Sequence, residues 1–205
     1  MSDRVEVIAT VLLAFAAVAT AWSGYQATRW NGEQTKAASR TNAIRIEAAR
    51  AQGLSEAQKE VDVATFIQWI DAYAHREAEL TTFYERRFRA EFEPAFEAWR
   101  ATNPLTNPDA PLTPFVMPQY RLAAEEDAER LDGEAELSAA EVRRNIQRAS
   151  NYILGVVLFS VALFFAGMST KLTNARLRAV AVSMGCVVFL GTLVWIASSP
   201  VSLSI

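Results

Sequence analysis

Three apolar runs constrain what this chain can fold into more than anything else in it. The first covers residues 5–22 and is free of charge past Glu6; the second, 152–168, reads YILGVVLFSVALFFAGM; the third, 179–197, reads AVAVSMGCVVFLGTLVWIA. An α-helix rises about 1.5 Å per residue, so about 20 apolar residues cross the hydrocarbon core of a bilayer. Each run reaches that length with its flanks. Apolar residues make up 51% of the chain and are concentrated here, while the charges lie almost wholly between the runs. A cleaved signal peptide has a shorter apolar stretch, about 7–15 residues, and Asp3 and Glu6 beside Arg4 are foreign to one. Residues 1–23 are therefore expected to stay as an anchor.

The expected class is all-α: three transmembrane helices plus an antiparallel helical-bundle soluble domain formed by long extensions of the first two spans. Its divisions are a first span within 1–23, a soluble segment 24–150, a second span 151–168, a short basic loop 169–178, a third span 179–199 and a tail 200–205. Within the soluble segment, residues 25–51 read as helix. Gly53 is expected to end it, with Ser55 and Gln58 forming a capping box for the next helix. That next helix carries Val63, Phe66, Ile70, Tyr73, Leu80, Tyr84, Phe88, Phe92, Phe96 and Trp99 at three- and four-residue steps, with one seven-residue gap. Such spacing is a stripe on one helix of some forty residues, kinked at Pro94. A Pro-rich stretch, 103–118, cannot be helical and is expected to fold back as a lid anchored by Phe115, Val116 and Met117. A third long helix starts near Gln119, is weakened at Gly133, and runs into the second span without a break.

Trp22, Tyr25, Trp30, Tyr152 and Trp195 fall where an interfacial aromatic belt belongs. Orientation follows from basic residues. Lys171, Arg176, Arg178 and Arg4 flank one side; Arg29, Lys36, Arg40, Arg143, Arg144 and Arg148 flank the other. The raw count favours the second group as cytoplasmic, but long segments translocate largely regardless of charge. The short loop is therefore expected to be cytoplasmic, and the inserted segment extracytoplasmic, in a bacterial inner membrane. The preference for Arg over Lys reads as genome composition.

Composition and motifs exclude much of chemistry. A net charge of −3 carries no nucleic-acid footprint, and one cysteine (Cys186) permits neither a disulfide within the chain nor a thiolate metal site. Asp71, His75 and Glu79, spaced four apart, can share one helix face, where salt bridging on a solvated surface is favoured over metal binding. No metal, cofactor or catalytic residue is expected, since no nucleophile motif, Walker loop or second histidine is present. No Asp, Glu, Lys, Arg or His lies in the middle of any run, which argues against coupled transport. Small residues instead form faces suited to span packing or, in an oligomer, to lining a path: Thr10, Ala14, Ala17, Ala21 and Gly24; Gly155, Ala162 and Ala166; Ala181, Gly185, Thr192 and Ser199. Arg29, Arg143, Arg144 and Arg148 either contact anionic lipid headgroups or pair with Glu33, Glu136 and Glu141.

The segments AWSGYQATRWNGEQ and PLTPFVMPQY, with this order of spans, give the chain an outline that resembles uncharacterised bacterial three-span membrane proteins. That resemblance implies the architecture and no activity. The layout also resembles the motor subunits of the TolQ and ExbB type, but the mid-membrane acid and glycine-rich second span of those subunits are missing. The expected function is a membrane-anchored helical scaffold or interaction protein that self-associates, in contact with lipid and with a protein partner on the soluble domain. The alternative is an oligomeric pore without coupled transport.

Overall fold

The computed structural model describes residues 2–202, with side chains from Val5 onward. Arg4, counted above with the short loop, has its side chain outside the described residues, as does the tail beyond Ser202. The described residues fold into five α-helices and one short 3-10 turn, with no strand among them. The helices are α1 (Ser2–Ala74), α2 (Ala78–Glu85), α3 (Glu93–Ala101), α4 (Ala123–Ser169) and α5 (Ala175–Ala197); the 3-10 turn is Pro114–Val116. Three of them, α1, α4 and α5, contain stretches long and apolar enough to cross a membrane, the architecture of a multi-pass membrane protein. Apolar side chains such as Phe15, Val18, Phe164, Val187 and Val194 are exposed on these stretches. Lipid is the solvent in which such exposure costs nothing.

Gly53 does not end a helix, and Ser55 caps none. α1 runs through both, Ser55 is fully buried, and no glycine has a positive φ. A glycine inside a helix costs only about 1 kcal/mol against alanine, which the packing of a long helix outweighs. Gly133 likewise sits inside α4, which starts at Ala123 rather than near Gln119 and continues unbroken to Ser169.

The chain divides into two compact units, Met1–Arg40 with Leu137–Ile205, and Thr41–Glu136. In the first unit, α1, α4 and α5 pack through small residues. A Cβ added at Gly155 would lie 2.9 Å from Ile196 and 3.5 Å from the Ser23 hydroxyl. One added at Gly185 would lie 3.0 Å from Leu12 and 3.4 Å from both the Ala162 carbonyl and Phe165. Each glycine is thus a point where all three helices meet, and the missing side chain is what lets their backbones approach. Gly185→Val is expected to lower the unit's stability by about 2 kcal/mol through overpacking against the Ala162 carbonyl. Gly191→Val, whose Cβ meets nothing within 4 Å, serves as the control. Thermal unfolding in detergent distinguishes the two, and equal midpoints would contradict the three-helix contact.

The tail after α5 folds back onto the other two helices. The Pro200 carbonyl accepts from Trp30 Nε1 and from the Tyr152 hydroxyl, each at 3.2 Å. The fully buried Gln26 amide pairs with the Ser202 backbone, accepting from its N–H at 3.0 Å and donating to its carbonyl at 3.4 Å. These bonds satisfy polar groups that would be costly to bury alone. They also correct the aromatic belt. Trp22, Tyr25 and Trp195 are exposed as expected, but Trp30 and Tyr152 are buried, with their polar atoms spent on Pro200. At the other end of this unit, Arg178 reaches the Glu6 carboxylate at 3.4 Å, tying the start of α1 to the α4–α5 hairpin.

Candidate functional site

The small-residue faces of the spans do not all serve the same end. Gly155, Ala162, Ala166, Ala181, Gly185 and Thr192 are buried in the packing of this single chain. Thr10, Ala14, Ala17 and Ala21 are exposed, Gly24 is half-buried, and Ala9, Leu12 and Ala16 make the buried face of α1 instead. Packing within the chain therefore does not use the α1 face read from the sequence. Alanine is present on both sides of this helix, so spacing alone could not choose between them.

Around the candidate headgroup cluster, Arg148 stacks over the Trp30 ring at 4.5 Å and reaches Asn145 at 3.3 Å. Arg143 and Arg144 are exposed and form no ion pair among the described residues, while Arg29 is half-buried. Two of the acids weighed as their partners are engaged elsewhere: Glu141 with Arg40 and Glu136 with Arg45, both at 3.6 Å. Glu33 holds Lys36 at 3.0 Å.

In the Thr41–Glu136 unit the aromatic stripe is not one helix. It is cut where the sequence left its seven-residue gap: α1 stops at Ala74, Arg76 turns the chain at φ 59°, and α2 begins at Ala78. Pro94 stands in the first turn of α3, where a missing N–H costs nothing, and not in mid-helix. The break lets Phe66 on α1 meet Phe88, Phe92, Phe96 and Trp99 from beyond it, all buried. Val63, Ile70, Tyr73 and Leu80 stay exposed. Trp69 joins the core, although the stripe as read omits it. Its place three residues after Phe66 was the available signal. Phe115 and Met117 of the Pro-rich stretch pack against this cluster, Phe115 at 5.2 Å from Phe92 and 5.6 Å from Phe66, but Val116 is exposed. Trp99 Nε1 donates to the Pro111 carbonyl at 2.8 Å, fastening the stretch as a lid.

Beside the core lies a charged network that the sequence did not single out. Asp62, only 1% exposed, accepts from Arg89 at 2.9 Å and from the Tyr120 hydroxyl at 3.1 Å. Arg89 also pairs with Glu91, whose other oxygen accepts the Ala123 N–H at the start of α4, 3.2 Å away. Burial pushes the Asp62 carboxyl above its ordinary value, against the opposing pull of Arg89. His75, by contrast, lies on the surface and donates to the Asp71 carbonyl at 2.9 Å, which raises its pKa. Glu79 stands on α2, past the turn, so Asp71, His75 and Glu79 do not share a helix face.

A groove of about 1160 Å³ lies between the end of α1, α2, α3 and the Pro-rich stretch. Trp69, Ile70, Tyr73, Trp99, Leu105 and Leu112 supply its apolar lining. Glu85 lies in it with one oxygen shared by Trp69 Nε1 and Arg100, both at 3.1 Å. Arg76 and Asn103, the two non-glycine residues with positive φ among the described residues (59° and 53°), both line it. Comparison with protein-family models, with curated proteins and with solved structures finds no match to this chain.

Proposed function

We propose that the protein is a non-enzymatic, membrane-anchored helical scaffold that self-associates through the outward face of α1. The observation that carries this reading is the exposure of Thr10, Ala14, Ala17 and Ala21 on the side of α1 turned away from Ala9, Leu12 and Ala16. Lipid offers no hydrophobic drive for helices to associate, so association rests on close backbone approach, and small side chains permit it. In this reading the protein resides in a bacterial inner membrane. The inserted segment is a soluble, antiparallel helical domain outside the cytoplasm, where it meets a partner, and Arg143 and Arg144 face anionic headgroups.

The pore alternative has less support. A water-filled path needs polar faces turned to a common axis, and Gly155, Ala162, Gly185 and Thr192 are occupied by packing within one chain. Thr20, half-buried, is hydrogen-bonded to the Ala16 carbonyl. The test is the mass of the protein in nanodiscs. The expected result is a defined oligomer for the wild type and a monomer for the double variant Ala14→Leu, Ala17→Leu. A monomeric wild type removes the proposal. A ring that conducts ions replaces it with the pore.

A further inference from the structure

The groove beside Trp69 and Trp99 is independent of how the spans associate, and its lining describes a ligand. Most small-molecule sites enclose about 300–1,000 Å³ and combine an apolar wall with a few placed polar groups. This one has about 1160 Å³ of space. Ile70, Tyr73, Leu105 and Leu112 gather around it while remaining exposed, Leu112 at 92%. All four lie outside the apolar runs that lipid would cover. Grouped exposure of this kind marks a binding surface more often than a scatter of single apolar residues does.

Charge selects the ligand further. Only three charged side chains line the groove: Glu85, Arg100 and Arg76. Glu85 is neutralised by Arg100 and receives the Trp69 N–H as well. Arg76 has no carboxylate within ion-pair distance among the described residues, and the Tyr73 hydroxyl has no hydrogen bond among them. The groove therefore carries one uncompensated positive charge next to an aromatic wall, in which Trp69 and Tyr73 stack at 5.2 Å. A cationic ligand would be repelled. A neutral apolar ligand would cover Arg76 without replacing its water. An anion does replace it, through a charge-assisted hydrogen bond. Residue 76 sits at φ 59°, a backbone conformation that favours glycine over a residue with a side chain. The position adopts that backbone with a cationic residue that lines the groove.

We propose that the groove binds a small apolar molecule carrying a single carboxylate, with its body on Trp69, Ile70, Tyr73 and Leu105 and its carboxylate at Arg76. The test uses the full chain in nanodiscs, with empty nanodiscs subtracted, and three probes of one shape: biphenyl-4-acetate, its neutral amide, and biphenyl-4-methylammonium. Calorimetry is expected to give saturable 1:1 binding of the acid, about tenfold tighter than the amide, with the cation weakest. Arg76→Gln, an exposed change at a side chain with no ion pair among the described residues, is expected to leave folding intact and to make acid and amide equal. Arg76→Lys is expected to restore part of the preference, and Tyr73→Ala to weaken acid and amide alike. An acid that binds no tighter than its amide, a preference that survives Arg76→Gln, or no saturable binding of any probe overturns the assignment. So does a blocked apolar tripeptide with a free C-terminal carboxylate that binds more tightly than the biphenyl acid. That outcome would make the site a reader of protein C-termini.

Discussion

Phe66→Ala is expected to destabilise the Thr41–Glu136 unit by about 4 kcal/mol, the range for deleting a buried aromatic ring from a packed core. Phe66 is 4% exposed, and its ring lies 5.2 Å from Trp99, 5.6 Å from Phe115, 6.1 Å from Trp69 and 6.2 Å from Phe92. Three of those four neighbours meet it edge to face, the geometry in which ring quadrupoles attract. Truncation therefore removes the ring's own burial and also leaves each neighbour facing a void. These neighbours come from α1, from α3 and its N-cap Phe92, and from the Pro-rich stretch, so the lid should loosen together with the core. Urea unfolding followed by near-ultraviolet circular dichroism reads the effect directly, because the stacked rings produce that signal. Leu112→Ala, at an exposed position, is expected to cost under about 0.5 kcal/mol. If the two variants unfold at the same urea concentration, the aromatic cluster is not the core of this unit.

Asp62→Ala is expected to cost about 3 kcal/mol, and Asp62→Asn about 1 kcal/mol, for reasons that separate charge from hydrogen bonding. Alanine leaves the Tyr120 hydroxyl without its acceptor and Arg89 with Glu91 alone. Asparagine keeps an acceptor oxygen for both, but it weakens the charge-assisted bond from Arg89 and buries an amide NH2 where the second carboxylate oxygen stood. That charge is itself costly to hold: burial places the Asp62 carboxyl above 3.8, more strongly than Arg89 and Tyr120 draw it down. The sign follows from proton linkage. A carboxyl with a raised pKa in the folded state binds protons more readily there than in the unfolded chain. Its favourable contribution is fully present below the unfolded value and is lost as pH rises through the folded one. Wild type should therefore gain stability relative to Asp62→Asn as pH falls from neutral toward 4. A difference between the two that is constant with pH would mean that the carboxylate is solvated rather than buried. An Asp62→Ala variant as stable as Asp62→Asn would mean that the bonds to Arg89 and Tyr120 are not made.

Each misreading of the sequence has a physical cause in particular residues. Local rules price Gly53 and Ser55 as a helix end and a helix start, but the penalty for one glycine is small beside the burial that a continuous α1 secures. Phe66 to Trp99 read as one stripe because periodicity is blind to a change of direction. The seven-residue gap after Tyr73 and the proline at 94 were both visible, and both mark breaks. Trp30 and Tyr152 read as membrane-interface residues because they flank apolar runs. Their true partner, the Pro200 carbonyl, lies 170 and 48 residues away in the chain, a separation no local pattern spans. The Asp62–Arg89–Tyr120 network was invisible for the same reason.

The division between what sequence and structure each contributed is clear in physical terms. Amino-acid order alone determined that the chain is helical, that three of its helices are apolar enough to cross a bilayer, that α4 runs unbroken from charged into apolar sequence, and that the Pro-rich stretch folds back through Phe115 and Met117, although it also pointed Val116 inward, which is exposed. All of these follow from periodicity, length and solvent transfer, which act along the chain. Only the tertiary structure decided which face of α1 is buried, where Gly155 and Gly185 bring three backbones together, how the broken stripe closes into a core, and that Arg76, Glu85 and Arg100 line one groove. Those outcomes depend on packing and charge between residues far apart in sequence, and such energies exist only once the chain has folded.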